Sequence, residues 1–343
     1  MLQTIIAVIC LGILIVLHEL GHFLAARKFG VYIHEFSVGF GPKLFSRKGD
    51  ETEVSLRLVP LGGYVRFAGE EGIEPDEDID IPEERLLTSL PPAKRALVML
   101  AGPLMNLVVA MVAFFLVLSF VGIAKPTTQI AEVVAGYPAY EAGIQPGDRI
   151  IRVEDAEISE WGDMVALVQK RTGVPTTIVV EREGNILSFT LTPIDVSGTG
   201  IIGVKAEVTT VRFGVFRGIK EAFLETIFVS VAWIATVAGM IGGAIAPELT
   251  GPVGISQILG EAARQGIGQL LYVLGFLSAN FALINLLPIP SLDGSRLLFV
   301  AVEGIRGKPI DPAKENIIHF IEFFLLMVLF IVITYKDILL LVG

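Results

Sequence analysis

The sequence predicts a polytopic α-helical membrane protein of about four transmembrane helices, with a β-hairpin loop on one side of the bilayer and a small α+β domain inserted on the other. Three observations predict it. Of 343 residues, 53% are hydrophobic and only 18% charged, with a mean hydropathy of +0.70, a balance far from that of a soluble domain. Four apolar stretches each approach or exceed the roughly 20 residues that a spanning helix needs. Between the second and third of them, about 90 residues lose the long apolar runs and show short alternating strands instead.

The first stretch covers residues 2–24. It has no basic segment before it and no small-residue cleavage site after it, so it reads as a retained signal anchor. Arg27 and Lys28 follow, and the segment through Arg95 carries ten Lys or Arg. The excess of basic residues places this loop in the cytoplasm and the N-terminus outside. Within the loop, about 36–68, Glu53 to Pro60 alternates and leads to a Gly62-Gly63 turn, the pattern of a β-hairpin. The second stretch, 96–124, has no charge. The segment 125–212 is then extracytoplasmic. It alternates at Thr177–Arg182 and Leu187–Leu191, with a helical patch from Trp161 to Arg171 ahead of them. The third stretch, 266–290, is also uncharged, and the fourth spans about 317–336 with Glu322 inside it. Acidic residues 70–84 include Asp76, Asp78 and Asp80 at calcium-loop spacing, but Ile81 and Leu87 stand where such a loop needs Gly and Glu.

The net charge of −10 argues against a nucleic-acid partner, since phosphate binding needs clustered cations. A lone cysteine, Cys10, excludes both an internal disulfide and a thiolate metal site. Any metal must be held by imidazole and carboxylate. His18-Glu19-Leu20-Gly21-His22 supplies the spacing: on a helix, residues four apart share a face, so both imidazoles can grip one zinc ion while Glu19 acts as base. Zinc lowers the pKa of bound water from about 16 to roughly 7. The alternative is two helix-face histidines beside a chance glutamate, but only four histidines occur in the chain, and ionisable groups near the membrane interior are costly unless functional. His34 and His319 lack partners at ligand spacing and read as surface or interfacial. Catalytic zinc takes three protein ligands and leaves one position open. The candidate for the third is Asp293, which ends the third apolar helix, just as HELGH ends the first, in Asn285-Leu-Leu-Pro-Ile-Pro-Ser-Leu-Asp-Gly294; an ordinary helix-end carboxylate is its other reading. Pro288 and Pro290 cannot continue a helix, and unwound backbone at membrane depth is tolerated when buried or lining a wet cavity.

HELGH in the first apolar stretch, paired with Asn285-x-x-Pro288-x-Pro290-x-x-Asp293-Gly294, resembles the site-2 protease family of intramembrane metalloproteases, closest to its bacterial regulator of sigma-E group. Phe36-Ser-Val-Gly-Phe-Gly41, Leu61-Gly-Gly-Tyr-Val65, Ala101-Gly-Pro-Leu-Met-Asn106 and Gly251-Pro-Val-Gly-Ile255 add to it, in order along nearly the whole chain. The resemblance implies His18, His22 and Asp293 as zinc ligands, Glu19 as catalytic base and a membrane-dipping hairpin. Ala142-Gly-Ile-Gln-Pro-Gly-Asp-Arg-Ile150, preceded by Gly136-Tyr-Pro-Ala139, is similar to PDZ domains of bacterial proteases, which implies one extracytoplasmic PDZ domain over 125–212 that screens substrates or takes a peptide in its groove. Two departures are visible. Some relatives carry two PDZ-sized inserts, and Ser295-Arg296 replaces the Gly-His that follows Asp-Gly in others.

The activity implied is regulated intramembrane proteolysis in a bacterial plasma or inner membrane: hydrolysis of single-span membrane proteins, such as anti-sigma factors or leftover signal peptides, with Zn2+ and no other cofactor. A substrate helix must first unwind, and the hairpin at Gly62-Gly63 offers an edge for strand addition. Asn106 and Asn285 lie in apolar helices, where a buried amide needs a partner: either a neighbouring helix or the substrate's freed backbone, the role the resemblance favours for Asn285, with Pro288 and Pro290 lining its path. A further apolar run, 226–247, sets a parity condition. If it spanned, Asp293 and His22 would end on opposite faces, so segment 213–262 is expected to lie along the outer interface. A non-catalytic PDZ scaffold would not need Glu19, a transporter would show inverted repeats, and a conventional protease would carry HELGH in a soluble domain.

Overall fold

The structure, a computed structural model, describes residues 2–69, 81–246, 251–289, 292–307, 324, 327–328 and 332–337. It divides into two compact units, Met1–Val121 with Gly214–Gly343, and Gly122–Phe213.

Leu2–Lys28 forms helix α1. No proline interrupts it, and it stops at Gly30, whose φ of +80° suits a left-handed cap after basic Arg27 and Lys28. Strands β1 (Ile33–Lys48) and β2 (Glu53–Phe67) follow. They are more than the simple hairpin expected. Residues 33–38 partner 63–67 on one side and 53–56 on the other, while 43–48 pair back onto 53–57. Gly62-Gly63 is therefore not the turn expected but a kink inside β2. Gly62 takes φ +111°, and a Cβ there would overlap the Phe40 ring, while one on Gly63 would stand 2.6 Å from the Ser37 carbonyl oxygen. Glycine permits the close approach that any side chain would block. Glu35, 3% exposed, is the polar centre of this ribbon and accepts from Ser55, from Arg57 at 2.8 Å and from Tyr64 at 3.0 Å. Burial pushes its carboxyl pKa up, but these donors outweigh that and hold it below the ordinary carboxylate range. Helix α2 (Pro92–Leu116) begins with proline at its first turn, where no N–H is missed, and continues through a π-helical turn to Val121.

The unit Gly122–Phe213 holds β3 (Ile123–Val133), α3 (Pro138–Glu141), β4 (Arg149–Val153), β5 (Ala156–Glu157), α4 (Trp161–Lys170), β6 (Thr176–Arg182), β7 (Asn185–Leu191), β8 (Ile194–Val196), β9 (Thr199–Ile201) and β10 (Val204–Val211). Its main sheet runs β10-β3-β4-β6-β7, with β5 on β4. Glu183 and Gly184 both take positive φ, the turn that matches the twist of the β6–β7 hairpin. Glu160 and Asp163 form a capping box on α4. Ile130, Ile150, Val153, Met164, Val168, Ile178 and Val180 make the core, each worth about 1.5–3 kcal/mol on burial. Asp148 is wholly buried and pairs with Arg182 at 2.6 and 2.8 Å.

The first unit resumes with α5 (Val215–Ile241), α6 (Pro252–Gln265), α7 (Ile267–Asn285) and α8 (Asp293–Arg306). Among the described residues, α1, α2, α5 and α7 are long and apolar enough to cross a membrane; the fourth stretch expected, 317–336, lies largely outside the described residues. Gly268 meets Val121 and Gly275 meets Phe114, so α7 starts where α2 ends and runs back along it. Small residues make that approach close, as helix packing in lipid requires. The buried residues of α5 are Gly218, Ala222, Thr226 and Val229, with none in its last 12 residues. Gly218 abuts Ser119 at the end of α2, and Glu225 accepts from Tyr272 of α7 at 2.7 Å. Helix α6 packs Leu259 against Ala7, Cys10 and Leu14, in the first half of α1. Its first turn donates to Asp337 from Gly251 and Gly254 at 3.2 and 2.9 Å. The chain thus leaves one end of the bundle at Gly218 and is back at that end by Gly268.

Candidate metal centre

His18 and His22 lie one turn apart on α1, 7% and 5% exposed, with their Nε2 atoms 3.2 Å apart. Asp293 closes the triangle: Oδ2 is 3.0 Å from Nε2 of His18 and Oδ1 is 3.2 Å from Nε2 of His22. The expectation that Asp293 ends the third apolar helix needs correction. Helix α7 stops at Asn285, and Asp293 is the first residue of α8, where a carboxylate complements the helix dipole. A Cβ on Gly294 would overlap the carbonyl oxygens of Leu286 and Leu287, so glycine lets the chain fold back tightly at that point.

Helix α2 fixes both imidazoles. The Val98 carbonyl faces Nδ1 of His22 at 2.8 Å, which puts the proton on Nδ1 and turns the Nε2 lone pair into the triangle. Asn106, 1% exposed, faces Nδ1 of His18 at 3.1 Å. With its nitrogen toward the ring, its Oδ1 is buried without a partner. Amide nitrogen and oxygen are exchangeable by rotation, and the rotated amide accepts from Nδ1–H and leaves Nε2 of His18 free. Two imidazole lone pairs and a carboxylate then converge with no donor among them, within 4.8 Å of one another. That donor set calls for a cation, and nitrogen with oxygen ligands suits zinc.

Gly102 makes the arrangement fit: a Cβ there would overlap Nε2 of His22 and crowd Cε1 of His18. Gly21 likewise lies against the Ala101 carbonyl. Glu19 is half-buried, and its Cγ lies 3.8 Å from the Cβ position of Gly63, so β2 passes beside it. Pro60 meets Gly12 further along α1. The structure thus brings together His18, His22, Asp293, Glu19, Gly63 and Asn106, with Asn106 turned to His18 rather than toward an open path. Asn285 ends α7 half-buried, Pro288 is exposed, and Pro290 lies outside the described residues. Sequence reasoning missed Val98, which acts through its backbone, and gave no role to Gly102, although Ala101-Gly-Pro-Leu-Met-Asn106 contains it and it shares a face of α2 with Val98 and Asn106.

Such a centre belongs to metalloproteases, and its seat on an apolar helix makes this a membrane metalloprotease. A family model described as peptidase family M50 matches residues 6–329, and the chain belongs to that family, the site-2 proteases. The zinc metalloprotease RasP of Oceanobacillus iheyensis is 31% identical, over 98% of this chain and 99% of its own. RasP of Geobacillus kaustophilus is 32% identical, over 98% of each. A solved PDZ domain of an SdrC-like protein from Listeria monocytogenes covers 24% of this chain and 90% of its own at 18% identity, with a TM-score of 0.22, a likeness too slight to carry an argument.

Proposed function

We propose that this protein is an intramembrane zinc endopeptidase that hydrolyses peptide bonds of single-span membrane proteins, such as anti-sigma factors or remnant signal peptides, within or beside the bilayer. One observation carries the reading: Asp293 closes a triangle with His18 and His22, and both histidines, with Glu19 next to them, stand on a helix of spanning length. These three residues would hold zinc and leave a fourth position open. Zinc bound there supplies Lewis acidity, polarising a scissile carbonyl and making water nucleophilic near neutral pH. Glu19 takes the proton of the attacking water and passes it to the departing amine nitrogen. Val98 and Asn106 keep the two imidazoles in the tautomer that ligation needs.

The substrate helix must unwind before its backbone can be attacked. Residues 63–67 form the edge of the small sheet beside Glu19, and an extended substrate segment adds there as a further strand. The amide of Asn285 holds a freed backbone group of the substrate, and Pro288 and Pro290 keep the flanking wall unwound. The unit Gly122–Phe213 is a PDZ domain that screens substrates. Basic residues after α1 put the active site near the cytoplasmic side, with the N-terminus and the PDZ domain outside. Helix α5 lies along the outer interface, a reading supported by Gly218 and Gly268 both meeting the end of α2.

The test is cleavage of a model single-span substrate in detergent by wild type and Glu19→Gln, with zinc measured in both. Cleavage by wild type alone at equal zinc content is expected. Equal cleavage by both would remove Glu19 from the mechanism.

A further inference from the structure

Because Asp293 opens α8, the position of its carboxylate depends on how α8 is docked. Only Gly294 and Ser295 of that helix are buried; from Arg296 onward its residues are half-buried or exposed. The far end is tied to α2. Glu303 forms an ion pair with Arg95, their side chains 22% and 13% exposed, and a Cβ built on Gly304 stands 3.7 Å from Cβ of Pro92. Arg95 lies on the face of α2 that also carries Val98, Gly102 and Asn106, at steps of three and four residues. One stripe of α2 therefore meets both halves of the metal centre, the histidines through Val98, Gly102 and Asn106, and the helix of Asp293 through Arg95.

We infer that Arg95 and Glu303 are a positioning pair for the third metal ligand: their contact sets the pose of α8, and so the distance of Asp293 from His18 and His22. Glu303 is ten residues beyond Asp293, about 15 Å of helix. Released at that end, α8 pivots about the tight turn at Gly294 and carries the carboxylate off the triangle. Both side chains are partly buried, so water and salt screen the pair less than an exposed one. The inference rests on the reading of His18, His22 and Asp293 as zinc ligands.

The test uses the full chain in detergent, with zinc affinity measured by competition against a chromogenic chelator. Glu303→Gln and Arg95→Gln should each weaken zinc binding roughly 10- to 100-fold, the usual effect of losing support behind a ligand. The exchange Arg95→Glu with Glu303→Arg should restore most of it. In the Glu303→Gln background, Pro92→Cys with Gly304→Cys places two thiols at a Cβ separation within the disulfide range of about 3.5–4.5 Å. Oxidation should recover zinc affinity and reduction should lose it again, a reversible readout that general destabilisation would not give. Wild-type affinity in both single variants would overturn the inference, as would a loss that neither the exchange nor the disulfide reverses. Failure of the underlying ligand assignment is distinguishable, because it would appear as wild type without zinc or as His18→Ala with zinc bound normally.

Discussion

Gly102 lies so close to His22 that a methyl group on its Cα would overlap Nε2. The residue is a spacer for the metal centre, and its effect can be separated from helix stability. Alanine is the better helix former by roughly 1 kcal/mol, so Gly102→Ala should leave α2 intact or firmer. Zinc content should nevertheless fall to a small fraction of wild type, as measured by atomic absorption on the purified protein.

Asn106 supports His18 from the side opposite the triangle. Asn106→Leu keeps the volume but leaves Nδ1–H of His18 buried without an acceptor, at a cost of about 1–3 kcal/mol. Zinc affinity should drop about tenfold to a hundredfold. Asn106→Asp, which retains an acceptor, should keep affinity near wild type. Equal affinity in the leucine variant would show that Asn106 has another role.

Glu35 gives the hairpin a pH dependence. Its folded pKa is depressed, so the stabilisation is complete above the unfolded value of about 4.3 and is lost as pH falls through the folded value. Amides in 33–38 and 53–57, corrected for intrinsic exchange, should stay protected from neutral pH down to about 4.3 and lose protection below it. Glu35→Gln should abolish that acid transition.

In the inserted unit, Asp148→Ala leaves Arg182 without its buried partner. The stability of Gly122–Phe213 should fall, read as an earlier thermal transition. Zinc content should be unchanged.

Helix α5 predicts a labelling pattern. Single cysteines at Val215 and Ile241, in a Cys10→Ala background, should both react with an impermeant thiol reagent added from outside. Labelling of the two from opposite sides would make α5 a spanning helix and would require the chain to return across the bilayer before α7.

The sequence disclosed the metal centre unevenly, for physical reasons. His18 and His22 were legible because helical periodicity alone places them on one face. Asp293 was legible as a residue but not as the start of a helix, because Pro288 announces where α7 must stop and says nothing of where the next helix begins. Val98 contributes a carbonyl that every residue type has. Arg95 and Glu303 are separated by most of the chain, and each alone reads as a charge near a membrane edge. The Gly62-Gly63 pair suits a turn and a strand kink equally, so only the pairing of 33–38 with two partners distinguished them. Helix α5 began earlier than hydropathy suggested, since Arg217, Lys220, Glu221 and Glu225 interrupt the apolar run while leaving the buried stripe of Gly218, Ala222, Thr226 and Val229 intact.

The triangle draws its first two corners from α1 and its third from α8, with the whole inserted unit encoded between them. During synthesis His18 and His22 enter the membrane long before Asp293 has left the ribosome. A chain that stops before Asp293 therefore holds two of the three corners, and on the proposed reading should bind zinc weakly and cleave nothing. On the proposed reading the centre closes only once α8 (Asp293–Arg306) has been made and docked on α2, so the order of synthesis keeps the two imidazoles apart from their third partner until late.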